Sequence, residues 1–166
     1  MRHTAAESPS PLLRRARPDE ADAITRVTLR AKRHWGYPEA FMEVMTPELT
    51  MTRAELERAS DRVEVLEADG GLLGFFRLRR RTELAWLEDV FVDPAAMGHG
   101  HGRRLFLRAA ELAREWGFGV MEFVSDPYAE GFYLGLGAER VAMWPSELMP
   151  GRSIPHMSYS LWRERG

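Results

Sequence analysis

The stretch from Val90 to Phe106, VFVDPAAMGHGHGRRLF, restricts the fold more than any other part of the chain. An apolar run ends at Val92 and is broken by Asp93-Pro94. Three glycines follow at alternate positions, Gly98, Gly100 and Gly102. Apolar residues then recur at helical spacing, at Leu105, Phe106, Ala109, Leu112, Ala113 and Trp116, and Gly117 is placed to cap the helix end. The unit is a strand, a glycine-rich loop and a helix start. A helix N-terminus presents unpaired N–H groups and the positive end of a dipole. Glycines leave those groups bare. Together they make a phosphate cradle, although glycine runs also mark plain flexible turns. The spacing fits neither the dinucleotide fingerprint nor the phosphate loop ending in Gly-Lys-Ser/Thr. Arg103 and Arg104 follow instead, so the loop suits a pyrophosphate held by backbone amides and two arginines.

The rest of the chain supplies layers around this unit. Leu12–Arg17 reads as a first strand, stopped by Pro18. Asp19–Arg33 reads as a helix whose acidic start and basic end both complement the dipole. Pro38–Met45 reads as a second helix, and Thr52-Arg53-Ala54-Glu55 is a capping box opening a third. Arg62–Ala68 and Leu72–Arg80 alternate as strands around the hairpin signal Asp69-Gly70-Gly71. Gly74 weakens the second of them or marks a bulge. Leu84–Val92 is the central strand. Val120–Val124 is the next, and Asp126-Pro127 starts a helix carrying Phe132, Tyr133 and Leu136. Ala138–Met143 and Pro155–Trp162 close the sheet, joined by a loop over Pro145–Ser153. The four arginines Arg77, Arg79, Arg80 and Arg81 read as a solvated strand end that guards an edge.

At 166 residues and 45% hydrophobic content, the chain suits one packed domain over residues 12–166. Residues 1–11 are mostly polar or small and read as a mobile tail that includes His3. A net charge of −2 makes no electrostatic case for nucleic acid. The absence of cysteine removes disulfides, thiolate metal sites and thiol nucleophiles, and fits a cytoplasmic protein. No apolar run approaches the roughly 20 residues that span a bilayer, so no membrane partner is expected.

Two segments carry a family resemblance. Met97-Gly98-His99-Gly100-His101-Gly102 resembles the acyl-CoA pyrophosphate loop of the GNAT acetyltransferase superfamily, written Gln/Arg-x-x-Gly-x-Gly/Ala. The stretch DPYAEGFYLGLGA, Asp126 to Ala138, is similar to its Asn-x-x-Ala-x-x-Phe-Tyr-x-x-x-Gly-Phe segment. Met97 stands in place of Gln or Arg, Asp126 in place of Asn, and Ala138 in place of the last aromatic. Order and spacing agree over Leu12–Trp162. The resemblance implies an α/β (α+β) fold, with a mixed, mostly antiparallel sheet of about six to seven strands flanked by helices. It implies acetyl-CoA as co-substrate, lying against the backbone of Val90, Phe91 and Val92 and against Met97–Arg104, with contacts from Asp126 and Tyr133. It also implies a primary amine of a small molecule as acceptor, or else a protein Lys or N-terminus, and pairing into a homodimer. Two other classes stand beside it: a non-catalytic acyl-CoA-binding module, and a nucleotide-phosphate switch, which would need a Ser or Thr where Arg103 and Arg104 stand.

Amide formation from a thioester needs a base, because amines with a pKa near 10 are mostly protonated at neutral pH. It also needs an oxyanion donor, for which a backbone N–H on the central strand is available. Glu88 and Asp89 interrupt the central strand and are the candidate bases, Glu88 first; a structural ion pair is the alternative for either. By simple alternation Glu88 shares a face with Val90 and Val92, and the two acids point apart unless a bulge intervenes. Tyr133 is a core residue by periodicity and the acid for the thiolate by resemblance. His34, Trp35 and Tyr37 sit in a stiff loop that either plugs the domain edge or borders the acceptor. His99 and His101 lack a third ligand, so they belong beside the pyrophosphate and no metal is expected. His156 is an acceptor-site or surface residue.

Overall fold

The computed structural model describes residues 10–162. The tail expected over residues 1–11, including His3, therefore lies outside the described residues except for Ser10 and Pro11. Seven strands form one sheet in the order β1-β2-β3-β4-β5-β7-β6. They are β1 (Leu12–Arg15), β2 (Asp61–Ala68), β3 (Gly71–Arg80), β4 (Ala85–Val92), β5 (Val120–Val124), β6 (Glu139–Pro145) and β7 (Ser153–Ser160). All neighbours pair antiparallel except β4 and β5, which run parallel. The mixed, mostly antiparallel sheet expected from the sequence is thus present.

Helices cover both faces. α1 (Ala21–His34) buries Ile24, Val27, Thr28 and Ala31. Ile24 and Val27 join a core with Val63, Val65 and Phe75 from β2 and β3. α2 (Glu39–Leu49) follows it and runs a full turn past the expected end at Met45, through Pro47. α3 (Arg53–Leu56) opens on the expected capping box, in which Glu55 N–H donates to Thr52 Oγ1 at 3.2 Å and Thr52 N–H to Glu55 Oε2 at 2.9 Å. On the opposite face, α4 (His101–Glu115) buries Leu105, Phe106, Ala109, Ala110, Leu112 and Ala113. These meet Phe76, Leu78, Leu87, Phe123 and Met157. Each fully buried Phe or Leu of this kind contributes roughly 1.5–3 kcal/mol, so the layers around β3 and β4 are the rigid frame of the molecule. α5 (Glu130–Gly135) lies between β5 and β6.

Two features of the sheet position the site. First, β4 and β5 pair only at Ala85↔Met121 and Trp86↔Glu122. Beyond Trp86 the two strands part, and the facing edge of β4 is left without a ladder partner among the described residues. Second, β4 bulges: Arg77 pairs with Asp89 and Leu78 with Leu87, so Glu88 is the extra residue. A bulge resets the alternation of side chains.

Only half of the arginine run is the solvated strand end expected from its charge: Arg80 and Arg81 are exposed, whereas Arg77 and Arg79 are drawn into ion pairs. β3 lies at the centre of the sheet. Arg77 is buried, with Nε 2.8 Å from Asp61 Oδ2 and Nη1 3.1 Å from Glu55 Oε1. Arg79 also binds Asp61, at 3.0 Å. Arg80 and Arg81 lie over the rings of Trp116 and Trp86, at 4.1 and 4.0 Å from the centroids. The acids that neutralise the first pair come from β2 and α3, out of reach of any local reading. Gly74 likewise has a packing reason beyond weakening its strand. A Cβ there would stand 2.6 Å from Phe91 O, so only glycine admits this approach of β4 to β3.

Candidate active site

The parting of β4 and β5 opens a cleft of about 950 Å³. One end is the glycine loop, the middle is β4 with Glu88 and Asp89, and the other end is formed by α1, α2 and the β6–β7 loop.

At the first end, Gly98 and Gly100 adopt left-handed backbone at φ 84° and 79°, where an L side chain is strained. Gly100 is the N-cap of α4. Among the described residues, the N–H groups from Gly98 to Arg103 make no backbone hydrogen bond; the first helical bond is Arg104 N–H to Gly100 O at 3.1 Å. Gly102 lets the helix start close on α5, since a Cβ there would meet Phe132 Cζ at 3.3 Å. Bare amides at a helix N-terminus fit a pyrophosphate. The candidate residues of this loop divide. Gly98, Gly100, His101, Gly102 and Arg103 line the cleft, as does Met97. His99 is not among the lining residues, although its ring lies 5.9 Å from that of His101. Burial, and after it His99 and Arg104, hold the His101 imidazole below its ordinary pKa, so it faces the cleft as a neutral ring. Arg104 turns away and donates to Pro11 O at 2.7 Å. The Met97 N–H donates to Pro94 O at 3.4 Å. No group of three or more His, Asp or Glu side chains able to hold a metal occurs among the described residues.

In the middle, the bulge corrects the expected geometry of the two acids. Val90 and Val92 pack towards the α4 core, whereas Phe91 packs towards the α1 core. Glu88 does not share the face of Val90 and Val92. It meets Arg79, and Asp89 pairs opposite Arg77; both arginines reach the same Asp61. Glu88 and Asp89 therefore stand on one face, and both line the cleft. Their states differ. Arg79 Nη1 lies 2.7 Å from Glu88 Oε1, outside hydrogen-bond direction, so this buried oxygen accepts no hydrogen bond. Asp89 makes no ion pair among the described residues. Burial pushes its carboxyl up to about 6; Arg77 opposes that rise, while Glu88 and Glu55 add to it. A carboxylate with a pKa just below neutral is suited to accept a proton.

Tyr133 faces the same space from α5. Its ring packs on Phe123 and Phe106, at centroid distances of 4.6 and 5.6 Å. It is 8% exposed, lines the cleft, and its hydroxyl has no hydrogen-bond partner among the described residues. Burial, then the charges of Asp89 and Asp126, push its pKa well above that of a free phenol, so it stays protonated.

The acceptor end is assembled from long-range contacts. Asp126 caps the turn before α5, accepting from Tyr128 N–H at 3.0 Å. It also accepts from Lys32 Nζ at 2.8 Å and Tyr37 Oη at 2.6 Å, with Arg152 Nη2 at 3.6 Å. Burial alone would raise its pKa, but Lys32 and these hydrogen bonds hold it below the ordinary value. The Asp126 side chain is thus occupied within the protein rather than held out to a cofactor. Tyr37 is likewise a strut, accepting from Arg152 and stacking on Phe41. Neither it nor His34 is among the lining residues; Trp35 is, stacked flat on Tyr128 at 5.6 Å and 4°. Lys32, Tyr128, Trp144 and Arg152 line the site without having been singled out. The only local signal was that Arg152 falls in the loop between the closing strands. His156 lies instead against Trp144 and 2.9 Å from Glu122.

The Acetyltransferase (GNAT) family model matches residues 26–138, from within α1 through the glycine loop to the end of α5. The chain belongs to the GNAT acetyltransferase family. The GNAT fold extends over the rest of the chain. The PaiA N-acetyltransferase of Thermoplasma acidophilum, solved in complex with coenzyme A, is 18% identical. It superposes with a TM-score of 0.76 over 92% of this chain and 99% of that one. An aminoglycoside 6'-N-acetyltransferase complexed with coenzyme A is 13% identical, with a TM-score of 0.70 over 93% of this chain and 99% of that one. The putative acetyltransferase YncA of Salmonella typhimurium, solved with acetyl-CoA, is 22% identical, with a TM-score of 0.67 over 95% and 98%. A search of curated proteins by sequence finds no match. This GNAT protein is an acetyltransferase. No helix among its described residues is long and apolar enough to cross a membrane.

Proposed function

We propose that this acetyltransferase moves an acetyl group from acetyl-CoA to a primary amine of a small molecule, by direct attack within a ternary complex. The observation that carries the reading is the convergence of three elements on one cleft: the bare amides of Gly98–Arg103, the unpaired Asp89 carboxylate and the unpartnered Tyr133 hydroxyl. The residues at the glycine loop fit a pyrophosphate, and Arg103 adds a positive charge beside them. The bound thioester supplies an electrophilic carbonyl and a thiolate leaving group. Everything else is a task for this chain.

Asp89 accepts the proton of the amine, directly or through one water. Its carboxyl, held at about 6, is ionised at neutral pH and still basic enough to act. Glu88 is the neighbour that helps hold it there, because its charge disfavours a second one nearby. This reverses the order expected from the sequence, in which Glu88 came first. Tyr133 donates the proton that the departing thiolate needs. The open edge of β4 beyond Trp86 offers backbone N–H groups to the developing oxyanion. A cytoplasmic location and pairing as a homodimer are carried over from the family as part of the same proposal. The outer strand β6, with Val141 and Met143 exposed, supports the pairing.

The test is thiol release from acetyl-CoA against a panel of small amines, a lysine peptide and a peptide with a free N-terminus. The proposal expects turnover with small amines and slower turnover with both peptides. Tight coenzyme A binding without turnover on any acceptor would make the protein a binding module instead.

A further inference from the structure

The ion pairs next to the two acids of β4 meet at one carboxylate. Asp61 opens β2, and its side chain is almost wholly buried, at 1% exposure. Arg77 Nε donates to its Oδ2 at 2.8 Å, Arg79 Nε to its Oδ1 at 3.0 Å and Ser60 Oγ to its Oδ1 at 2.8 Å. Arg58 stands 3.6 Å away. Burial alone would raise the Asp61 carboxyl, but the hydrogen bonds from Arg79, Ser60 and Arg77 hold it below its ordinary pKa, so it is a fixed negative charge. Asp61 does not line the cleft. Charges buried in this way lose in hydration about what their pairing returns, so stability alone is a weak reason for the hub.

The contact that is not made is the informative one. Arg77 and Asp89 stand directly opposite each other in the β3–β4 ladder. Residues so placed have Cβ atoms about 4.5–5.5 Å apart, and opposite charges there attract. The Arg77 guanidinium nevertheless turns to Asp61 and to Glu55, the latter at 3.1 Å, and Asp89 is left without an ion pair among the described residues. Arg79 is shared in the same way between Asp61 and Glu88. The other titratable groups that act on Asp89 or feel its charge are Lys32 of α1, Glu55 of α3, its neighbour Glu88 and Tyr133 of α5. Lys32 is committed to Asp126, and Tyr133 stays protonated. Of the charges around Asp89, Arg77 acts most strongly.

We propose that Asp61 is a positioning residue for the transfer: together with Glu55 it draws the Arg77 guanidinium off β4, and so keeps Asp89 an unpaired carboxylate able to take the amine proton. Asp61 acts through Arg77 and touches no reacting group. The inference deepens the reading of Asp89 as the base and rests on it.

The test follows the Asp89 carboxyl in the whole protein by carbon-13 NMR, with its signal assigned by its loss in Asp89→Asn. Beside it runs the pH profile of kcat/KM for the small amine turned over fastest. The parent protein titrates at about 6. In Asp61→Asn, which keeps the shape of the side chain, Arg77 is released towards Asp89. The Asp89 midpoint and the acid limb of the profile both move down by about one unit. Arg79→Gln, at a less buried position, leaves Glu88 without its counter-charge and Asp61 with more hold on Arg77, and both readouts move up. Glu57→Gln, which removes an exposed acid paired with Arg53 outside the hub, moves neither. An Asp89 midpoint unmoved in Asp61→Asn, or unmoved in Arg79→Gln should the first variant not fold, overturns the role of Asp61 and leaves Asp89 standing as the base. A merely structural Asp61 gives that result, with lower stability and an unshifted profile. An Asp89 midpoint that moves while the acid limb of kcat/KM stays in place overturns the base assignment and leaves the charge arrangement standing.

Discussion

At the Gly98–Arg103 end, the cleft is lined by backbone; at the Trp35–Trp144 end, it is lined by side chains that hold one another. The first end is built from one continuous segment, with left-handed glycines and a helix start supplying its N–H groups. The second draws on α1, α2, the turn before α5 and the β6–β7 loop, tied together through Asp126. Backbone amides bind the common part of a ligand and tolerate change in the side chains around them. A wall of side chains can be rebuilt without touching the fold. On the proposed reading, constancy and variation reside in different places: the donor end keeps one chemistry and the acceptor end sets specificity. Between them, β4 supplies the proposed proton acceptor, Asp89.

Substitutions in each region sharpen this contrast. Asp89→Asn should have the largest effect, lowering kcat/KM by about 10²–10³, within the range of general base catalysis. Coenzyme A affinity should change by less than about twofold, because the donor end does not use this side chain. In the parent enzyme kcat/KM should fall as pH drops through about 6, where the Asp89 carboxyl takes up its proton; the variant should lack that limb. Tyr133→Phe should lower kcat by about 10- to 100-fold, with the coenzyme A affinity again little altered. Gly100→Val works at the opposite end. A β-branched residue at φ 79° is strained, so the amides shift and coenzyme A should bind about tenfold more weakly, as titration calorimetry would record. A loss of acceptor affinity equal to the loss of donor affinity would break the proposed division of the cleft.

The smallest predicted effect is on stability. The folded-state pKa of Asp89 lies above its unfolded value of 3.8, at about 6. The folded protein therefore binds more protons than the unfolded chain between those values. The Asp89 contribution is favourable below about pH 4 and is lost as pH rises through about 6. Asp89→Asn, which cannot ionise, should raise stability at pH 8 by about 1 kcal/mol, measured by urea denaturation. A gain in stability with a loss of rate would mark Asp89 as a group kept for chemistry at a structural cost.

Legibility in the sequence followed the same divide. The glycine loop, the strand before it and the helix after it are contiguous, so spacing and composition sufficed to read them. The α3 capping box and the Asp126-Pro127 turn were equally local, and both are present. The orientation of Glu88 was not legible, because a bulge is a property of two paired strands and neither sequence announces it. Arg77 and Arg79 of β3 misread as part of an exposed edge for a similar reason: their partners Asp61 and Glu55 come from other elements. Asp126 read as a cofactor contact because its bonds to Lys32 and Tyr37 cross 94 and 89 positions of chain.

The proposed donor site depends on the amides of the glycine loop. Assigned proton–nitrogen NMR spectra recorded during titration with coenzyme A test it directly. The account predicts the largest shifts at Gly98, His99, Gly100, His101, Gly102 and Arg103, with little movement at Trp35 and Tyr128. Saturable binding that leaves those six amides in place and moves resonances elsewhere would contradict it.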